Sequence, residues 1–129
     1  MVPKSIGEYE ELGALGDVPR MADSVSYLSK EDRELVVRYL ERGVAIAATP
    51  GREADVLDGA PVDLTPSLLT DGEYVWRRDL IHYVRKYGVA VPDTFLAAVR
   101  SGALPPEVLD SDQASALGAW LRSRGAGES

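Results

Sequence analysis

The pair Asp71-Gly72 lies between two runs of strand-type residues, 64–69 and 73–77, and no other feature restricts the fold of this chain as strongly. An Asp-Gly step accepts the positive φ that a tight hairpin needs and that most side chains resist. The pattern predicts a β-hairpin with a two-residue turn at Asp71-Gly72. Alternation along its second strand sends Tyr74 and Trp76 to one face, and Glu73, Val75 and Arg77 to the other.

Around the hairpin the periodicity is helical. Ser29 is placed to cap a helix whose apolar stripe is Leu35, Val36, Tyr39 and Leu40, with Gly43 as a left-handed stop. Val44 to Thr49 is a β-branched and small apolar run that suits either a buried strand or packing continued under a loop. Asp79 can cap a second helix with Leu80, Tyr83, Val84 and Tyr87 inward and Gly88 closing it. Phe95, Leu96 and Val99 form the inner face of a third helix that stops at Gly102. Asp110 and Gln113 make a capping-box start for a last helix carrying Ala114, Leu117, Trp120 and Leu121, with Gly125 ending order.

The expected fold class is α+β: a small, mostly helical domain with a β-hairpin or small antiparallel sheet packed against three to five helices. Residues 1–27, rich in Gly and Pro, read as an irregular N-terminal arm, 28–125 as one globular domain, and 126–129 as a flexible tail.

At 129 residues the chain is large enough for one core without staples, and it contains no cysteine for a disulfide or thiolate zinc site. Its longest apolar stretch, 44–48, is far short of a membrane span, and its start lacks the basic-then-apolar order of a secretory leader. A cytoplasmic protein is therefore expected. A net charge of −7 opposes binding to nucleic acid or anionic lipid and favours a neutral or basic protein as partner.

Chemistry-bearing motifs are sparse. The single histidine, His82, excludes two-histidine metal sites, and on its helix it lies within reach of Asp79, Lys86 and Arg78. The spacing of Asp55, Asp58 and Asp63 does not fit a calcium loop, and no phosphate-binding glycine motif is present. No catalytic residue, metal or cofactor is assigned. Charge is segregated, however: 53–73 is purely acidic, while 77–86 holds Arg77, Arg78, Arg85 and Lys86 against Asp79 alone. Either the acidic loop folds across the basic helix, or Asp55, Asp58, Asp63, Asp71 and Glu73 face a partner. An alternative site is a pocket between the hairpin and the helix after it, built from Tyr74, Trp76, Arg78, Asp79, His82 and Tyr83.

The stretch Leu69-Thr70-Asp71-Gly72-Glu73-Tyr74-Val75-Trp76, followed by Tyr83-Val84-Arg85-Lys86-Tyr87-Gly88 and then Pro92 and Phe95-Leu96, resembles a pattern in small uncharacterised actinobacterial proteins. More loosely, the chain is similar to immunity proteins of bacterial toxin systems. That resemblance implies a non-enzymatic, protein-binding module, an immunity or antitoxin-type inhibitor acting through an acidic surface. The alternative expectation is a small enzyme or ligand-binding protein using the pocket around Trp76, Arg78, Asp79 and His82.

Overall fold

The hairpin forms, one residue later than the Asp-Gly step suggests. In the computed structural model, which describes residues 3–14, 16–49 and 51–126, strands β3 (Leu68–Thr70) and β4 (Tyr74–Arg77) pair antiparallel with Thr70 opposite Val75. Gly72 and Glu73 therefore occupy the loop, and Gly72 takes φ +98°. Asp71 serves as the cap beneath them, its Oδ1 accepting the N–H groups of Glu73 at 2.9 Å and Tyr74 at 2.7 Å. Buried Thr70 completes the turn by donating to the Tyr74 carbonyl at 2.6 Å and accepting from the Gly72 N–H at 3.0 Å.

Two further strands extend the hairpin into a sheet of order β1-β4-β3-β2. β2 (Val44–Ala47), the predicted apolar run, pairs antiparallel with β3. β1 (Lys4–Ser5) comes from the arm expected to be irregular and pairs parallel with β4, so the sheet is mixed rather than purely antiparallel. Tertiary docking recruits those two residues; Glu11 then pins the arm by accepting the N–H groups of Met21 at 2.7 Å and Ala22 at 2.9 Å.

Three helices cover one face of this sheet. α1 (Lys30–Glu41), α2 (Leu80–Tyr87) and α3 (Asp93–Arg100) pack on the face that carries Leu69 and Trp76. Phe95 of α3 meets Tyr39, Tyr74 and Trp76 edge-on at centroid separations of 5.1, 5.2 and 6.1 Å. Ser29 caps α1 by accepting the Asp32 N–H at 3.2 Å, as the sequence predicts. The α1 stripe rotates slightly: Val37 is buried while Leu35 is exposed. Gly43 is no left-handed stop, because its φ is not positive; it is a glycine because a Cβ there would sit 2.6 Å from Trp76 Cζ2.

α4 (Ser111–Ala126) starts from the predicted capping box, in which the Asp110 N–H donates to Gln113 and the Gln113 N–H to Asp110 at 3.1 and 2.7 Å. Its first turn abuts the hairpin loop, where a Cβ on Gly72 would meet Gln113 Nε2 at 2.3 Å. The helix continues through Gly125 to Ala126, and the rest of the expected tail, 127–129, lies outside the described residues. Helix exceeds strand, and the fold is α+β. Among the described residues no helix is long and apolar enough to cross a membrane.

Candidate functional site

The acidic loop does fold across the basic helix. Asp55, expected to be exposed, is 2% exposed. Its Oδ1 accepts the N–H groups of Leu57 at 2.8 Å and Asp58 at 3.1 Å, an Asx turn that closes the loop on itself. Its Oδ2 accepts from His82 Nε2 at 2.7 Å and from the Tyr87 hydroxyl at 2.9 Å, both on α2. Burial pushes the Asp55 carboxyl up, yet His82, the Leu57 N–H, Tyr87 and the Asp58 N–H together hold it down at about 2. Burial and the same contact raise the Tyr87 hydroxyl to about 12.

Neighbouring contacts repeat the pattern. Lys86 pairs with Asp58 and lies 3.8 Å from Asp55. The Tyr83 hydroxyl accepts the Val56 N–H at 3.1 Å. His82 is therefore partnered by Asp55 of the loop, and not by Asp79 of its own helix as its spacing suggests.

Asp79 has a different role from the expected one. It makes no side-chain cap for α2. Instead it is buried, and Arg77 grips it with two bonds, Nε to Oδ1 at 2.9 Å and a terminal nitrogen to Oδ2 at 2.6 Å. The same terminal nitrogen reaches Glu53 of the loop at 2.6 Å. Burial raises the Asp79 carboxyl above its usual range against the pull of Arg77, and the two-point geometry is that of an ion pair.

The remaining residues of the predicted sites are dispersed. Asp63 is exposed, and Arg52 contacts its backbone carbonyl rather than its carboxylate. Asp71 accepts from the Tyr39 hydroxyl at 2.6 Å, and Glu73 lies 3.6 Å from Lys4. Of the alternative pocket, Tyr74 and Trp76 face the aromatic core, and the Trp76 indole N–H donates to the Leu40 carbonyl at 3.3 Å. Arg78 lines a shallow depression beside Glu41 and Arg85. The hairpin and α2 thus do not bring Tyr74, Trp76, Arg78, Asp79, His82 and Tyr83 to one cavity.

A cavity of about 400 Å³ lies instead on the second face of the sheet. Leu68, Val75 and Arg77 form its floor; Glu8 of the arm, Glu53 of the loop and Trp120 of α4 stand around it. Sequence reasoning marked Arg77 as outward-facing and Trp120 as apolar, but it lacked the strand pairing of the arm that brings Glu8 beside them. Among the described residues no group of three His, Asp or Glu side chains is placed to hold a metal ion.

No protein-family description, curated protein or solved structure matches this chain.

Proposed function

We propose that this chain is a non-enzymatic protein-binding module for a neutral or basic partner, of the immunity or antitoxin-inhibitor type. The observation that carries the reading is where the surplus charge remains. The loop acids Glu53, Asp55 and Asp58 are spent internally, on Arg77, His82, Tyr87 and Lys86. By contrast Glu8, Glu10, Asp17 and Asp23 of the arm are exposed and form no ion pair among the described residues. The acidic face that we assign to a basic partner is the arm side, while 55–58 is tied to α2. Uncompensated surface charge of one sign speeds encounter with an oppositely charged partner and loses that effect in salt.

The bond between His82 and Asp55 ties the loop to α2. A second reading, a ligand-binding protein or small enzyme, is favoured by the cavity of about 400 Å³, a volume typical of small-molecule sites.

Immobilised protein challenged with bacterial lysate tests the proposal. It should retain a basic protein that elutes with salt, and Glu8→Gln/Glu10→Gln/Asp17→Asn/Asp23→Asn should weaken retention severalfold. Retention no greater than on a charge-matched unrelated protein, or unchanged by the quadruple substitution, would overturn it.

A further inference from the structure

Leu35 and Arg38 of α1 and Arg42 at its C-terminal cap stand at i, i+3 and i+7, and so share one face of the helix. With Leu104, in the turn that follows α3, they line a groove of about 210 Å³. Leu35 is 38% and Leu104 64% exposed, so the groove offers apolar surface directly to water. Both arginines are exposed too, and neither forms an ion pair or side-chain hydrogen bond among the described residues. Glu34, one turn before Arg38, does not reach it, and Glu41 is taken by Arg85 at 3.6 Å. No carboxylate lines the groove. In a chain of 21 acidic against 14 basic residues, the sign of charge is inverted here.

That inversion selects the occupant. A basic segment would meet two unmatched guanidinium groups and be repelled. A long polyanion such as nucleic acid would meet the net charge of −7 carried by the whole chain. A short acidic segment feels chiefly the charges within a screening length of about 8–10 Å, where Arg38 and Arg42 dominate. Their positions lie about 6 Å apart along the helix axis, and each guanidinium can grip a carboxylate with two hydrogen bonds. We infer that this groove docks an acidic peptide segment of a partner protein, with one apolar side chain covering Leu35 and Leu104 and flanking carboxylates on Arg38 and Arg42. The inference goes beyond the basic-partner reading, which concerns the arm, and stands without it.

Nuclear magnetic resonance titration with acetyl-Glu-Glu-Leu-Glu-Glu-amide tests this. The peptide should saturably shift the Ala103 and Leu104 amides and the Arg38 and Arg42 side-chain N–H resonances, and should bind more weakly as salt rises from about 50 to about 200 mM. Replacing its four Glu by Gln, or its Leu by Ser, should weaken binding severalfold, and the all-Lys counterpart should leave these resonances in place. Arg38→Gln/Arg42→Gln should weaken the acidic peptide severalfold and flatten its salt dependence at unchanged melting temperature, since exposed, unpaired side chains contribute little to stability. If that double variant is itself destabilised, Ala103→Glu, which sets a carboxylate at the exposed edge of the groove, is the deciding variant and should abolish the shifts. Equal binding of the Gln or Ser peptide, shifts confined to residues away from the groove, or affinity unchanged by these variants would overturn the inference. Tighter binding of inorganic phosphate or of an oligothymidine would also overturn it, in favour of a phosphate site.

Discussion

The carboxylate of Asp55 and the imidazole of His82, 27 residues apart in sequence, share a 2.7 Å hydrogen bond that fastens the acidic loop to α2. Asp55 has no exposure to spare, whereas His82 retains partial access to solvent. The bond is therefore the buried end of a network that also contains Tyr87, Lys86 and Asp58. Its consequence is mechanical: a loop that sequence leaves free to face a partner is held as part of the wall.

Acid should undo that fastening. The Asp55 carboxyl titrates at about 2 when folded, against about 3.9 in an unfolded chain. A depressed folded pKa contributes stability that is complete above the unfolded value and is lost as pH falls through the folded one. The contribution, roughly 2–3 kcal/mol at neutral pH, should fade below about pH 5 and be gone near about pH 1. Asp55→Asn should flatten that limb of the stability curve and cost about 1–3 kcal/mol near neutrality. Asp63→Asn, on the same loop but exposed, should stay within about 0.5 kcal/mol. Urea denaturation of the two variants across pH checks both. Equal effects would show that the loop is not fastened through Asp55.

At the hairpin, Gly72 is constrained twice, by φ +98° and by Gln113 lying where a Cβ would go. Gly72→Val should cost about 2–4 kcal/mol through backbone strain and displacement of the start of α4. Asp71→Ala removes the acceptor of two backbone N–H groups and of Tyr39, and should cost about 1–3 kcal/mol. Asp71→Asn keeps Oδ1 and should cost less than Asp71→Ala. Thermal melts that rank Asn equal to Ala would mean that Asp71 acts by charge and not by capping.

Gly43 gives a third test, free of any question of φ. The Cβ of Gly43→Ala would come within 2.6 Å of Trp76 and 3.0 Å of Leu69, so the sheet and α1 must part or the indole must turn. Overpacking of this kind costs about 1–3 kcal/mol. In a Trp120→Phe background the only indole is Trp76, buried at 1% exposure, and its fluorescence should shift to the red as packing loosens. An unshifted spectrum with unchanged stability would remove the steric account of this glycine.

Local chemistry accounts for much of the molecule. The Ser29 cap, the Asp110–Gln113 box, the Gly88 terminus at φ +61° and the inward set Phe95, Leu96 and Val99 all follow from interactions within a turn or two, which a single sequence carries in full. The hairpin follows from the same source, though its register slips by a residue because the Asp71 side chain is a better cap than loop member. Charge segregation between 53–73 and 77–86 was also readable, together with the choice between an inward and an outward loop. What decided that choice was distance in space: His82 and Tyr87, at i and i+5 on α2, converge on one carboxylate only once the loop has closed at Asp55. The same holds for Arg77, Asp79, Glu53, Glu8 and Trp120, which come from four separate segments. A pairing between chain segments has no local signature, because its free energy is gained only after both partners have been brought together by the rest of the core. Sequence determined the elements and their charge; the parallel docking of Lys4–Ser5 on β4 and the closure of the loop on α2 decided where a cavity would stand.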